Sequence, residues 1–501
     1  MDRIIYTRGG FTIKILEKLT KQIEFSKTEE QQIDSISYIL LVFVVAVLPL
    51  IAIPKVVNTP VNTWYFLDFT GYYKLIFLIV ISMFMITIMG FKAIARKQHI
   101  KISLPLVLFN VWILISIFFA QDSAVAFTGY PLRWQGFLAY FCYGVVFTFA
   151  VNMIKPKYVG KILVALFITV FICTVHSLFN YYGYEPLNLV MKYFYNARIT
   201  PGVSRGTLGN RNTAGAYFVV PTIIAFVMFM KNKGSEKNVF YYIALVLSYV
   251  GLIVSLTRIA WMGTIGAMVL SIWFFRKDIK KYSKKLAIVA VTFVIALMVL
   301  DFTGGGQIIG RYYSLKSQFI EASNGNMEQL GSSRLYIYGR ALKEIARNPV
   351  FGVGPDCFAF VTVLGQEDYR QHPELSGVGY FDKVHSEYLE YATTMGIPAL
   401  IFYLWFILSI FVPWLRKKGD MKPEMLAIFL GLTGYLMQAA FNFGAMSVMP
   451  VFFVLLGLLR NGFINENNKE IHTEINNEEN IIETDCIELT EGYAEEKCSL
   501  T

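Results

Sequence analysis

Residues 240–275 read FYYIALVLSYVGLIV, then SLTRIAWMG, then TIGAMVLSIWFF, two long apolar runs separated by a short segment that contains Arg258. An apolar stretch of roughly 18 to 20 residues crosses the ~30 Å hydrocarbon core of a bilayer as a helix. The pattern therefore predicts two membrane-spanning helices joined by a tight junction. A permanently charged arginine at such a junction is unusual, because charged side chains are costly near the hydrocarbon core.

The whole chain has the composition of a membrane protein. Of its 501 residues, 55% are hydrophobic and 16% aromatic, and the mean hydropathy is +0.51, well above that of a soluble protein. We place spans over 36–53, 73–91, 103–120, 136–154, 161–179, 213–230, 239–255, 258–275, 286–302, 387–411, 424–441 and 446–460. The sequence thus predicts an all-α polytopic membrane protein with about twelve transmembrane helices.

The loops between these spans fall into two classes that alternate along the chain. Short, lysine-rich loops are typical of the cytoplasmic side, and they occur at 91–101, 155–161, 231–237, 276–285 and 416–422. Longer, more aromatic loops occur at 54–72, 120–135, 180–212 and 303–386. We therefore expect both termini inside, the long loops outside and no cleaved signal peptide. The net charge of +10 follows from this bias, so no nucleic-acid partner is predicted.

The same assignment divides the chain into five parts. Residues 1–34 form a cytoplasmic N-terminal segment and 35–302 hold the first nine transmembrane helices. One large extracytoplasmic loop with amphipathic helices covers 303–386, and the last three transmembrane helices lie in 387–460. Residues 461–501 are acidic and nearly free of aromatic residues, which predicts a disordered cytoplasmic tail.

Three outward helix starts carry cationic or titratable side chains. They are Arg258 after Thr257, Arg205 and Arg211 in SRGTLGNRNTAGAY (204–217), and His385 just before Ser386. Thr257, Asn212 and Ser386 are the expected N-caps of these helices. A single interfacial arginine commonly extends to the lipid headgroups, but helix N-termini also attract anions. Three such ends that met in space would form a cationic pocket at the outer surface.

The large loop contains a predicted amphipathic helix over 332–348, SSRLYIYGRALKEIARN, capped by Ser332 or Ser333 and ended by Asn348-Pro349. At 100° per residue its packing face holds Arg334, Tyr338, Ala341 and Ile345, flanked by Leu335 and Leu342. Arg340, Lys343 and Arg347 lie roughly opposite, as on a face that meets solvent or lipid headgroups. Arg334 is on the face that should be buried, where a charge requires an anionic partner.

Four segments now carry a family resemblance: GTLGNRNTAGAY, SLTRIAWMG, SSRLYIYGRALKEIARNPVFGVGPDCF and VHSEYLEYATTMGIPAL. Their order and spacing, over roughly 200–412, resemble the O-antigen ligase and polymerase family of bacterial membrane proteins. The resemblance implies the second branch of the C-type membrane glycosyltransferase architecture. It also implies that a glycan is taken from an undecaprenyl-diphosphate carrier at the outer face of the plasma membrane and joined to a hydroxyl of a glycan, lipid or protein.

The resemblance further implies roles for single residues. Arg258 and Arg334 are the expected diphosphate ligands, with Arg205, Arg211 and Arg340 as further candidates, and His385 is the candidate catalytic base. Arginine holds phosphate through a bidentate fork, and histidine is the usual base near neutral pH. For His385 the alternative is an interfacial histidine with no chemical role.

No cofactor or metal is expected. The one acid-x-acid pair, Glu483 and Asp485, lies in the predicted cytoplasmic tail, and the five histidines show no zinc spacing. No phosphate-binding Walker loop is present either. We therefore expect a metal-independent membrane glycosyltransferase.

The competing hypothesis is a transporter or flippase of a lipid-linked or small anionic solute. Few ionisable residues lie near the middle of the predicted spans, and no internal repeat is visible, whereas transporters commonly show both features. Among glycan-transferring enzymes, a ligase, a polymerase and a protein O-glycosylating enzyme stay open. The Lys-, Ile- and Asn-rich composition, typical of AT-rich genomes, slightly favours a polymerase.

Overall fold

The computed structural model describes residues 27–61, 65–96, 99–188, 204–323, 330–372, 375–417 and 420–468. This part of the chain is mostly helical. The α-helices, numbered along the chain, are α1 Lys27–Val42, α2 Tyr72–Arg96, α3 Leu104–Ser116, α4 Ser123–Thr128, α5 Phe137–Met153, α6 Val159–Tyr181, α7 Arg211–Lys231, α8 Ser235–Val254, α9 Arg258–Phe274, α10 Ile279–Thr303, α11 Gln307–Ser323, α12 Leu330–Arg347, α13 Phe358–Val361, α14 Gln366–Gln371, α15 Glu387–Met395, α16 Ile397–Arg416, α17 Pro423–Ala439 and α18 over 449–468.

Seven helical stretches are long and apolar enough to cross a membrane. They are Thr28–Leu50, Tyr72–Ala95, Pro156–Tyr181, Arg211–Lys231, Ser235–Val254, Arg276–Thr303 and Ile397–Arg416. Shorter apolar helices cover Leu104–Phe119, Phe137–Met153 and Arg258–Phe274. The prediction of a mostly helical, polytopic membrane protein is confirmed, while the count of twelve spans and their direction stay predictions.

The predicted tenth span, 387–411, is interrupted in the structure. Helix α15 ends at Met395 and α16 begins at Ile397, because Gly396 adopts φ 85° between them. A side chain at Gly396 would place its Cβ 1.8 Å from the carbonyl oxygen of Val350, so only glycine fits. Helix α15 therefore follows the large loop as a separate short helix, and the long apolar helix α16 begins after it.

Two further differences concern the ends of segments. Loop 54–72 contains an antiparallel strand pair, β1 Lys55–Asn58 and β2 Tyr65–Asp68, so the described fold is not purely α-helical. Helix α1 begins before residue 35, and α18 continues past 460 to residue 468.

The extension of α18 has a clear physical cause. The Glu466 carboxylate lies 2.7 Å from the Lys417 ammonium, and the Asn461 side chain donates to the carbonyl of Val151 at 2.7 Å. These contacts order a polar stretch that the composition assigned to a disordered tail. The rest of the predicted termini, residues 1–26 and 469–501, lies outside the described residues.

Helix α7 occupies the centre of the helical bundle. Its apolar part is completely buried, and it packs against α8, α9 and α17. Gly215 lets α7 and α9 approach closely, since a Cβ there would lie 2.7 Å from the Cβ of Thr257. The N-terminal ends of α7 and α9 therefore lie side by side, which brings Arg211 and Arg258 to the same end of the bundle.

Candidate functional site

The starts of α7 and α9 are joined by a direct hydrogen bond. Asn210 caps α7, since its side chain accepts from the Thr213 amide at 3.0 Å. The predicted cap, Asn212, lies instead inside the first turn, and that prediction is wrong. Thr257 precedes α9 as predicted, but its hydroxyl donates to the carbonyl of Arg211 at 2.7 Å rather than capping its own helix.

Helix α12 begins earlier than its sequence suggested. It starts at Leu330, so Ser332 and Ser333 lie within the helix and neither is its cap. It ends at Arg347, directly before the Asn348-Pro349 pair, as predicted. Because the helix begins at Leu330, the backbone of Arg334 lies one full turn inside it.

The buried face of α12 only partly matches the predicted one. Ile337 and Ala341 are buried, and Arg334 and Tyr338 are half-buried beside them. The flanking residues Leu335 and Leu342, in contrast, are exposed. Arg334 thus lies at the contact between the large loop and the helical bundle, where the pattern placed it.

Residues 441–443, which follow α17, connect the separate parts of the site. The Arg334 guanidinium donates to the carbonyl of Phe441, and the Asn442 side chain donates to the carbonyl of Asn212 at 3.1 Å. The ring of Phe443 packs edge-on against His385, with 5.2 Å between ring centroids. Three successive residues therefore hold the start of α7, the helix α12 and the segment before α15 together.

Three guanidinium groups converge at this point. The positive charges of Arg211, Arg258 and Arg334 lie close enough to repel one another. Burial lowers the pKa of Arg334, Tyr338 opposes this shift, and the two neighbouring arginines add to it. Within the described residues, no carboxylate forms an ion pair with Arg211 or Arg334. Half-buried cations in such proximity are unfavourable without an anion between them.

His385 is held in a defined orientation beside this cluster. Its backbone is left-handed, with φ 61°, and its carbonyl accepts a hydrogen bond from the Tyr338 hydroxyl at 3.0 Å. Ser386 caps α15 as predicted, accepting from the Leu389 amide at 3.4 Å. Burial and the charge of Arg334 lower the pKa of His385 to about 4, so the imidazole is neutral at physiological pH. Its Nδ1 atom is buried, with no hydrogen-bond partner in the part of the chain described.

Arg133 and Asp382 also belong to the site, although sequence patterns did not indicate them. Nε of Arg133 lies 2.6 Å from the Asp382 carboxylate, and its guanidinium carbon lies 5.0 Å over the ring of Phe443. The ring is thus shared between Arg133 and His385. Arg133 is isolated in a loop otherwise without basic residues, and no spacing links it to residue 382.

A buried ion network supports His385 from the N-terminal side. The Lys383 ammonium lies 2.8 Å from a carboxylate oxygen of Asp356 and 3.1 Å from one of Glu390. The second oxygen of Asp356 accepts from the backbone amides of Tyr130 and Gln135. The Gly-Pro-Asp turn at 354–356 was the available sequence signal, and its aspartate connects the loops 120–135 and 303–386.

Two of the expected diphosphate ligands lie away from the cluster. Arg205 is 4.0 Å from the carboxylate of Glu185 and lines a cavity beside the start of α7. Arg340 is 3.3 Å from the carboxylate of Asp368 and donates to the carbonyl of Val361. The structure therefore brings together Arg211, Arg258, Arg334 and His385, but not Arg205 or Arg340. Within the described residues, no group of three His, Cys, Asp or Glu side chains converges on a point that could hold a metal ion.

Fold and site together describe a multi-pass membrane protein with a cluster of three arginines at one end of its helices. A family model described as O-antigen ligase matches residues 243–404, from α8 into α16. Over these residues the chain carries an O-antigen ligase domain, as its motifs indicated, which is a domain of membrane proteins in polysaccharide biosynthesis. The matched range contains Arg258, Arg334 and His385. No curated protein matches the chain.

Proposed function

We propose that the protein transfers a glycan from an undecaprenyl-diphosphate carrier to an acceptor hydroxyl at the outer face of the bacterial plasma membrane. The O-antigen ligase domain supports glycan transfer in general. The observation that carries the specific proposal is the convergence of Arg211, Arg258 and Arg334 beside a neutral His385. A diphosphate and a nucleophilic hydroxyl are the two groups that this arrangement suits.

The arginine cluster acts on the leaving group. As the bond between the sugar C1 and the phosphate oxygen breaks, negative charge accumulates on the diphosphate. Guanidinium groups hold phosphate oxygens through two parallel hydrogen bonds and stay charged near a membrane. Because the three cations are already positioned, they stabilise that charge without reorganisation. Arg205 and Arg340, which have carboxylate partners of their own, are left out of this group.

His385 acts on the acceptor. Its neutral ring takes the proton of the acceptor hydroxyl while the oxygen forms a bond to C1 of the sugar. The bound diphosphate places negative charge beside Arg334, whose positive charge contributes to the low pKa of His385. Donor binding therefore raises the pKa of His385 toward the range in which a general base is most effective.

The two ends of α7 support an outward orientation of the site. Arg211 begins this helix, and the carbonyl of Phe229 near its other end accepts from Lys285 at 2.7 Å. Lys285 belongs to the lysine-rich loop 276–285, which is typical of a cytoplasmic loop. The arginine cluster, at the opposite end, then faces outside, where a lipid-linked glycan and its acceptor meet.

The direct test uses purified protein in detergent with the lipid-linked glycans that accumulate in cells lacking the protein. We expect transfer of the glycan and release of undecaprenyl diphosphate, without added metal. The acceptor that restores transfer distinguishes a ligase from a polymerase or a protein O-glycosylating enzyme. Absence of both donor binding and transfer would refute the proposal.

A further inference from the structure

A polar cavity of about 260 Å³ lies next to the arginine cluster. Its walls come from loops that the sequence places outside and from the adjoining ends of predicted spans. The polar lining includes Arg133, Gln135, Glu185, Arg205, Asn210 and Thr213. We propose that this cavity binds one sugar ring of the glycan beside the reacting centre, an inference that rests on the proposed function. The ring belongs either to the donor, next to its diphosphate, or to the end of the acceptor.

The cavity is lined by residues that flank or contact the proposed reaction site. Asn210 and Thr213 line it on either side of Arg211, the first residue of α7. Arg133 lines it as well, and the guanidinium of Arg133 lies over the same Phe443 ring that contacts His385. A group held in this cavity therefore lies beside the helix start that carries Arg211, and Arg133 and the Phe443 ring separate it from the proposed base.

The charges in the cavity are balanced, unlike those in the arginine cluster. Arg133 is paired with Asp382 at 2.6 Å, and Arg205 lies 4.0 Å from Glu185. The other oxygen of Glu185 lies 2.7 Å from Nε2 of His176. Balanced donors and acceptors suit hydroxyl groups, which both donate and accept hydrogen bonds. A second phosphate would instead favour an excess of cations.

The size and rigidity of the cavity agree with a single sugar ring. Pockets for drug-sized ligands begin at roughly 300 Å³, so this one admits one ring rather than an oligosaccharide. The buried ammonium of Lys74 donates to the carbonyl of Thr207 and to the hydroxyl of Ser447, both at 2.7 Å. Ser447 lines the cavity, and the Lys74 ammonium also donates to the carbonyl of Pro49 at 3.0 Å. Lys74 therefore connects the segments around Pro49, Thr207 and Ser447.

The test combines one variant that fills the cavity with one that changes its chemistry. Ala52 lines the cavity and is half-buried, so Ala52→Trp occupies the space, while Arg205→Gln replaces the charged guanidinium with a shorter, neutral amide. Ile53→Trp is the matched control, because the neighbouring Ile53 is 40% exposed and lies outside the lining. Binding is measured with synthetic undecaprenyl diphosphate and with the lipid-linked glycans from cells lacking the protein.

We expect Ala52→Trp and Arg205→Gln to weaken binding of the lipid-linked glycan by at least about tenfold, the scale of losing a hydrogen bond to a charged group. Binding of bare undecaprenyl diphosphate should stay unchanged, and Ile53→Trp should behave as the wild type. A rise in KM for the acceptor with normal donor binding would assign the sugar to the acceptor and equally support the proposal.

Two results would overturn it. Loss of affinity for bare undecaprenyl diphosphate would make the cavity part of the diphosphate site, and normal transfer by both variants would remove any role in sugar binding. In both cases the wild type still binds and transfers the glycan. A wild-type protein that neither binds nor transfers refutes the proposed function itself, and with it this inference.

Discussion

Lys383 and Asp356 form an ion pair at 2.8 Å in which both side chains are almost completely buried. Lys383 lies two residues before His385, whose left-handed backbone is followed directly by Ser386, the N-cap of α15. Asp356 in turn holds the backbone amides of Tyr130 and Gln135. The position of the proposed base is therefore determined on both sides, by a buried charge before it and a helix start after it.

Lys383→Met should destabilise the protein and alter the pH dependence of transfer. The change leaves the carboxylates of Asp356 and Glu390 buried without their cation, which typically costs about 3–5 kcal/mol. Removing a positive charge near His385 also raises the pKa of that imidazole. Thermal unfolding in detergent and the acid limb of kcat/KM measure the two effects. Lys343→Met, on the exposed side of α12, is the control and should change neither.

Arg258→Ala and Arg334→Ala should each abolish transfer while the protein still inserts and folds. Each removes one of the three cations that meet at the proposed diphosphate site. Lysine should restore little activity at either position, because an ammonium lacks the planar fork of guanidinium. The measurement is transfer from the lipid-linked donor by purified protein.

Arg340→Ala is the comparison for these two variants. Arg340 belongs to the same helix as Arg334 but is paired with Asp368, so we expect a mild effect on transfer. Near-normal activity of Arg258→Ala or Arg334→Ala, or an equal loss in Arg340→Ala, would contradict the proposed role of Arg258 and Arg334 in diphosphate binding.

The pH dependence of transfer should show an unusually acidic limb. His385 must be neutral to accept a proton, and its pKa is lowered to about 4. Because kcat/KM reports the free enzyme, it should stay constant through the range where an ordinary histidine, with a pKa near 6.5, titrates. It should fall only as the pH drops through about 4. A limb near 6.5 would show that another group controls the reaction.

His385→Ala should lower turnover by roughly two to four orders of magnitude, the usual effect of losing a general base. Donor binding should change much less, because the arginine cluster is intact. Equal losses of binding and turnover would make His385 a binding residue. Unchanged glycan transfer combined with loss of solute or lipid movement across the membrane would favour the transporter hypothesis.

Gly215→Ala should disturb the site through helix packing alone. Its new Cβ would lie 2.7 Å from the Cβ of Thr257 and 2.9 Å from that of Ala260, so α7 and α9 must move apart. Overpacking of this kind costs about 1–3 kcal/mol, and it displaces the Thr257 hydroxyl from Arg211. Gly90→Ala in α2 is the matched control, since no heavy atom lies within 4 Å of its Cβ. Only the first variant should lose thermal stability and activity.

Transfer should persist in EDTA. The expectation rests on the absence of an acid-x-acid pair from the loops predicted to lie outside. The assay compares untreated protein with protein dialysed against chelator. Activity that disappears with EDTA and returns with manganese or magnesium would require a metal-assisted mechanism instead.

Local features of the site could be predicted from sequence because they depend on neighbouring residues. Thr257 and Ser386 precede their helices as the patterns indicated, and Arg334 lies on the packed side of α12. The interruption at Gly396 also had a local signal, a glycine followed by Pro398. An apolar pattern alone cannot show it, because hydropathy does not change where the backbone breaks.

The assembled site could not be predicted in the same way. Arg133 meets Asp382 across about half of the chain, and Asn442 meets Asn212 across almost as much. Such pairs have no periodicity, since their proximity depends on how the helices pack. The ordered stretch at 461–468 was missed for the same reason: its composition favours disorder, and Lys417 supplies the missing partner for Glu466.

Residues 441–443 also determine at which stage of chain synthesis the site can assemble. The chain is synthesised from its N-terminus, so Arg211, Arg258, Arg334 and His385 all precede the segment that holds them in place. A nascent chain that has not yet inserted α17 contains every proposed catalytic side chain but lacks the carbonyl of Phe441 and the ring of Phe443. We therefore expect unfinished or C-terminally truncated molecules to be inactive, so that only completed protein consumes the proposed lipid-linked donor.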